Sequence, residues 1–246
     1  DGGTAPFDDR NVKIGTDMGT LTFSGHGSSG PVGAWDDLTP SANEESWGTS
    51  IGGTVDGPTN AAAYDNGFIY DYTVSDGLAI KASYDPSKGS DLQSSTEVGV
   101  AYTGMEGLTV KAAMGENNEA ADQIDLSVMG ITYAMGPVTV GYQANESDDS
   151  SAATSTAATG AQARGDLDYN ALAVSYAVSE DLSVSLAKSE IDYELSTLDK
   201  QESTSINASY TMGSMSWSAV HNDHSNASGV SDSDYKDYEI AVAFSF

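Results

Sequence analysis

Apolar and polar residues alternate one by one along most of this chain. At the C-terminus Tyr238, Ile240, Val242, Phe244 and Phe246 share one side, and Asp237, Glu239, Ala241, Ala243 and Ser245 share the other. Successive side chains of a β-strand point to opposite faces, so this segment is a ribbon with one apolar and one polar surface. The scheme recurs in Leu78/Ile80/Ala82/Tyr84, Leu108/Val110/Met114, Phe68/Tyr70/Tyr72/Val74, Val98/Val100/Tyr102, Val138/Val140/Tyr142, Leu172/Val174/Tyr176, Leu182/Val184/Leu186, Ile206/Ala208/Tyr210 and Met215/Trp217/Ala219. Two shorter runs, Val12/Ile14 and Leu21/Phe23, come first. No segment sustains a 3.6-residue period, so the pattern predicts an all-β antiparallel fold of thirteen strands.

The apolar phase slips in two places. In 124–133 it passes from Leu126 and Val128 to Ile131 and Tyr133, which predicts a β-bulge near Met129-Gly130. Ile191, Tyr193 and Leu195 slip in the same way against Leu182, Val184 and Leu186, leaving the side of Lys188 open.

The connections alternate between two kinds. Tight ones centre on Asp17-Met18-Gly19, Ser75-Asp76-Gly77, Met105-Glu106-Gly107, Met135-Gly136-Pro137, Ser179-Glu180-Asp181 and Met212-Gly213-Ser214. Long ones, rich in Ser, Asn, Asp, Ala and Gly, cover 27–65, 85–95, 116–123, 147–166, 195–202 and 224–235. Regular alternation of short and long connections is the pattern of transmembrane β-barrels. The apolar faces end in Tyr and Phe, as aromatic girdles do, and the strand lysines Lys13, Lys81 and Lys111 lie opposite the apolar register. A cation on a lipid-facing midplane position costs about 2–4 kcal/mol, so that placement suits a membrane barrel. A secreted soluble β-domain also hides charges from its core and is the competing architecture.

Composition narrows the function. The 246 residues carry 9 Lys plus Arg against 37 Asp plus Glu, a formal net charge of -28. Nucleic acid is not a partner that such a surface recruits, because binding it relies on basic patches. The 13 Tyr argue against disorder despite the acidity, and with 0 Cys there are no disulfides or thiolate metal sites. Nothing points to catalysis or a cofactor: no nucleophile-elbow or phosphate-cradling glycine motif is present. The histidines His26, His221 and His224 follow strand ends, and solvated loop positions are favoured over a His221/Asp223/His224 metal set. Asp148, Asp149, Asp166, Asp232 and Asp234 are hard oxygen ligands of the kind that hold Ca²⁺ between chains, although no spaced Ca²⁺ motif accompanies them.

With strands and turns placed, the chain resembles the general diffusion porins of Gram-negative bacteria, particularly the α-proteobacterial type. The residues that carry the resemblance are Val12-Lys13-Ile14-Gly15-Thr16-Asp17-Met18-Gly19-Thr20-Leu21-Thr22-Phe23, the long loop after them, the repeated Val-x-Tyr strand ends and terminal Phe246. The resemblance implies an outer-membrane barrel of sixteen strands, commonly trimeric, whose loop after the fifth strand folds into the channel. It also implies an aqueous path for ions and small hydrophilic solutes, contact with outer-membrane lipid, and a C-terminal strand, ending in Phe246, that the assembly machinery recognises. An antiparallel barrel closes on an even number of strands. If 27–65 is the constricting loop, the strand before it is the fifth and the last is the sixteenth. The expectation is then one barrel domain over 1–246 that lacks its first three strands, with Asp1–Arg10 in an external loop.

The segment 27–65 is the candidate site, since connections of that length are commonly functional. Trp35, Leu38, Trp47, Ile51 and Val55 are its apolar anchors, and Asp36, Asp37, Glu44, Glu45 and Asp56 its acids. Folded inward, these carboxylates would form an acidic constriction facing lumen lysines, of which Lys13 is the best placed and Lys81 and Lys111 fall on the loop's own side. Acidic clusters in a pore favour cations. The function expected is passive, cation-preferring diffusion. An occluded structural or adhesive barrel that presents surface loops is the alternative in the same membrane.

Overall fold

The computed structural model describes residues 10–48, 55–58, 63–64, 67–86, 93–118, 123–149 and 166–245. Its core is one antiparallel sheet of thirteen strands in which every strand pairs with its neighbour in sequence. These are β1 (Arg10–Thr16), β2 (Gly19–His26), β5 (Gly67–Ser75), β6 (Leu78–Asp85), β7 (Ser95–Met105), β8 (Leu108–Asn117), β9 (Ile124–Met135), β10 (Val138–Asp149), β11 (Leu167–Ala177), β12 (Leu182–Tyr193), β13 (Gln201–Met212), β14 (Met215–Ser225) and β15 (Tyr235–Phe244). Between β2 and β5 lie a two-stranded ribbon, β3 (Ser28–Ser29) with β4 (Ala63–Tyr64), and one helical turn, α1 (Pro31–Ala34). β1 and β15 are the two edges of the sheet. Phe246 and residues 1–9 lie outside the described residues.

The thirteen strands and the alternation of tight and long connections agree with the pattern in the sequence. Two-residue turns join β5 to β6 through Asp76-Gly77 and β7 to β8 through Glu106-Gly107. Gly77 and Gly107 each take φ +76°, a left-handed conformation that glycine adopts without steric cost.

Burial is inverted relative to a soluble protein. Ile14, Leu172, Leu186, Ile206 and Ile240 are all more than half exposed, whereas Asn145, Asn207, Asn222 and Ser203 are at most 1% exposed. Aromatic residues crowd both margins of the exposed apolar belt. Tyr72, Tyr102, Tyr133, Tyr176, Tyr210, Trp217 and Phe244 lie near the tight turns, and Phe23, Phe68, Tyr84 and Tyr238 near the long connections. That is the outer surface of a barrel in lipid, where the hydrophobic effect acts through the bilayer and polar groups gather inside.

The expected bulge is absent. β9 keeps one continuous register against β8 and β10 through Met129 and Gly130. Ile124, Leu126 and Val128 instead point to the inner face, where they form a buried cluster with Val32 and Trp35 from the 27–65 segment. β12 is likewise unbroken, and Ile191 turns inward to pack with Leu167 and Tyr169, with Trp47 against them. Both phase slips are changes in what covers the strand, lipid at one end and the inward segment at the other. Lys188 therefore stays on the outer face with Leu186, at the rim of the belt, where Glu190 and Glu202 hold its ammonium at 2.7 and 3.0 Å.

Candidate channel constriction

The 30–48 stretch of the 27–65 segment lies along the inner face, and inner-face side chains of successive strands grip its backbone. Its start is α1, with Pro31 at the first helical position, where a missing N–H costs nothing. Buried Glu97 of β7 accepts the Val32 N–H at 2.8 Å and so fixes the helix start. Gln143 of β10 accepts the Leu38 N–H at 2.5 Å and donates its side-chain amide to the Asp36 carbonyl. Farther round, Ser185 of β12 accepts the Ala42 N–H at 2.9 Å, and Asn207 of β13 accepts the Glu44 N–H at 3.3 Å. Ser46 and Ser189 meet at 2.7 Å. A polar wall thus supplies partners for loop backbone that would otherwise be buried unpaired.

Shape completes the seat. Side chains absent at Gly99, Gly130 and Gly141 leave room for Trp35, Leu38 and Pro40 in turn; a Cβ at any of the three would run into the loop. The track from β7 to β13 presses one half of the segment against the wall.

Its carboxylates gather as a result. Burial, then the charge of Glu45, pushes the Asp36 carboxyl above the usual range, opposed by a backbone hydrogen bond. Burial, a hydrogen bond to Glu45 and the charges of Glu45, Asp36 and Glu44 push Asp37 up to about 8. Glu44 is raised by partial burial and by the charges of Glu45 and Glu239. Glu239, on the inner face of β15, is a member of this group that sequence reasoning passed over. Its only signal was its place on the polar side of the last strand.

The fifth acid of the segment, Asp56, is elsewhere. Its carboxylate accepts the Tyr193 hydroxyl proton at 2.7 Å, and its backbone N–H and C=O pair with the Gln201 side-chain amide at 3.0 Å each. Of the expected anchors, Ile51 lies outside the described residues.

The lysines fall as the alternation requires. Lys13 stands in a cross-strand row with Thr22, Ile69, Ser83 and Glu97, four buried inner-face residues. Lys81 is paired with Asp71 at 3.3 Å, and both line a cavity of about 410 Å³ beside Trp35. The Lys111 ammonium lies over Trp35 itself. Lys81 and Lys111 are therefore on the loop's own side.

The model of the Gram-negative porin family matches residues 1–181. The chain belongs to that family. No curated protein matches it in sequence. Among solved structures it is similar to the outer-membrane expressed OmpT of Vibrio cholerae, with a TM-score of 0.66 and 15% identity over 96% of this chain and 80% of that one. It is similar also to the anion-selective porin from Comamonas acidovorans, with a TM-score of 0.64 and 13% identity over 95% and 75% of the two chains. The outer membrane channel DcaP of Acinetobacter baumannii aligns with a TM-score of 0.62 and 13% identity over 95% and 82%.

As a Gram-negative porin, the protein is a diffusion channel of the bacterial outer membrane. Its histidines do not form the metal set considered from sequence, because strand alternation parts them. His224 points inward and is fully buried against Ser203, at 2.8 Å, while His221 stacks on Tyr238 with ring centroids 4.3 Å apart. The carboxylates considered for Ca²⁺ also divide. Asp148 neighbours Asp166 at the ends of β10 and β11, whereas Asp232 and Asp234 build the turn between β14 and β15 with Asn226. The Asp149 side chain lies outside the described residues. Among the described residues no group of three or more side chains has a metal-holding arrangement.

Proposed function

We propose that this porin is a passive, cation-preferring channel for small hydrophilic solutes, built as one barrel domain over 1–246 with 27–65 as its constriction. The observation that carries the preference is the convergence of Asp36, Asp37, Glu44, Glu45 and Glu239 on one stretch of the inner face. Of the nearby lumen cations, Lys81 is neutralised by Asp71 and Lys111 is held over Trp35. Carboxylates left in excess raise the local cation concentration and lower the barrier to cation entry. A porin named anion-selective shares the fold, so lining charge, not architecture, decides the sign here.

Assembly as a homotrimer, contact of the apolar belt with outer-membrane lipid, and recognition of the alternating C-terminal strand by the assembly machinery complete the proposal. The exposed apolar outer face supports the first two, and the alternation of β15 supports the third.

Reversal potentials of the purified protein in planar bilayers under a salt gradient test the central point. A cation-to-anion permeability ratio above one is expected. A ratio of one or below overturns the selectivity, and no conductance at all overturns the open channel in favour of the occluded barrel.

A further inference from the structure

Asp56 lies where four pieces of chain meet: residues 55–58 of the inward segment, the end of β12, the start of β13, and the turn between β14 and β15. Both of its carboxylate oxygens are engaged. Oδ2 accepts from the Tyr193 hydroxyl at 2.7 Å, and Oδ1 lies 3.5 Å from the Ser228 hydroxyl. Gln201, 1% exposed, holds the Asp56 backbone through both ends of its amide. The same Gln201 carbonyl oxygen accepts the Ser228 N–H at 2.9 Å. One buried amide thus ties the inward segment and the β14–β15 turn to the same point of the wall.

That turn is unusual in its backbone. Asn226, Ser228 and Asp232 have φ of 51°, 57° and 59°, and they are all the non-glycine residues with positive φ among those described. Asn and Asp tolerate the left-handed region, so Ser228 is the uncommon occupant of the three, and such a residue is held there by its surroundings. The contacts here are specific. The Asn226 side chain donates to the Lys200 carbonyl at 3.1 Å and accepts the Asp232 N–H at 3.2 Å. Asp234 accepts the Asn226 N–H at 3.2 Å. Gly229 packs so closely that a Cβ would stand 2.9 Å from Leu198 and 3.0 Å from Tyr193.

We propose that Asp56 is a positioning residue that latches residues 55–58 of the inward segment to the wall, and that the turn Asn226–Asp232 is the outer clasp of that latch. An event at the external surface of this turn then changes the channel through a direct chain of contacts: turn, Ser228, Gln201 and Asp56, constriction. The inference rests on the channel reading above. It reassigns Asp56, whose carboxylate is committed to the wall and does not select ions.

Single-channel recording of the purified protein in planar bilayers tests it, with Asp56→Asn, Asp56→Ala, Gln201→Ala and Ser228→Ala beside the unaltered chain. Losing hydrogen bonds to a charged group shifts a two-state equilibrium by about tenfold or more, so Asp56→Ala should raise the frequency of sub-conductance switching by about that factor. Ser228→Ala, which leaves the constriction segment untouched, should move switching in the same direction. The permeability ratio should stay unchanged in both. The chain has 0 Cys, so a Cys pair made by Asp56→Cys with Ser228→Cys is addressed alone: oxidised channels should be quiet and reduced ones noisy. Quiet Asp56→Asn channels with weakened cation preference would make Asp56 a selectivity residue and overturn the latch. A Ser228→Ala variant and a reduced Cys pair that both match the unaltered protein would remove the clasp. If the unaltered protein conducts nothing, the channel reading falls first; if it conducts and every variant matches it, the latch falls alone.

Discussion

The Lys111 ammonium sits 5.7 Å from the centroid of the Trp35 ring, so the wall lysine holds the constriction segment from beneath instead of facing it across the lumen. A cation over an indole face contributes about 0.5–2 kcal/mol according to how far it is desolvated. The same contact leaves a positive charge next to the acids of the segment. Lys111→Met removes both the contact and the charge. It is expected to lower the urea midpoint of unfolding by an amount corresponding to about 1 kcal/mol, and to move the reversal potential further toward cations. A shift toward anions would contradict the placement of this lysine in the lumen.

Charge at the constriction should follow pH through Asp37. Its carboxyl titrates at about 8, held there by burial, by the hydrogen bond to Glu45 and by the surrounding carboxylates. Below that value Asp37 is neutral; above it the segment gains one negative charge. Cation preference measured at fixed salt should therefore rise between pH 7 and pH 9, and Asp37→Asn should flatten the rise. The stability sign is opposite. A carboxyl whose folded value is raised binds its proton more tightly when folded, so its contribution is full below the unfolded value near 4 and is lost as pH climbs through about 8. Solvent screening at exposed Asp37 shrinks that stability contribution, so the effect to measure is the permeability ratio.

The strands were legible because alternation is a local property: whichever residue follows Leu172 or Ile240 must face the other way. Turn positions were legible for a similar reason, since Asp76-Gly77 carries its own backbone requirement. What alternation leaves open is the material that covers each face. Ile124, Leu126 and Val128 read as a slipped register, yet they are in phase and covered by Val32 and Trp35, which lie far away in sequence. The acids divide along the same line. Asp36, Asp37, Glu44 and Glu45 cluster because they are close in the chain, while Asp56 is drawn off by Gln201 and Tyr193, and Glu239 joins from the last strand. Such partnerships exist only once the wall has folded against the segment.

The glycine track makes a sharper test of the inward fold. A Cβ at Gly99 would run into the Trp35 ring and come within 2.9 Å of both Ala113 and Pro31, whereas one at Gly15 meets nothing within 4 Å. Overpacking a tight site costs about 1–3 kcal/mol. Gly99→Val should therefore lift the start of the segment off the wall, lowering stability by that amount and altering single-channel conductance. Gly15→Val, in an equally regular strand, should leave conductance as it is. Equal behaviour of the two variants would mean that Trp35 does not rest on β7.

Two neighbouring outer-face positions test the depth of the protein in the bilayer. Leu186 is flanked by Val174 and Ile206 across the sheet and is 54% exposed, a lipid-facing position within the apolar belt. Lys188, two residues further along the same face, is met by Glu190 and Glu202 and marks where the belt gives way to water and headgroups. A lysine near the bilayer midplane costs about 2–4 kcal/mol, falling toward zero at the interface. Leu186→Lys should thus destabilise the protein in lipid, by less than the full midplane cost because it stands two residues inside the rim, while Lys188→Leu, which only extends the belt, should be tolerated. Unfolding of each variant from phospholipid vesicles provides the comparison. In a soluble sheet the two substitutions would reverse their order, because an exposed Leu replaced by Lys gains solvation and a bridged Lys replaced by Leu leaves Glu190 and Glu202 without one of their cations.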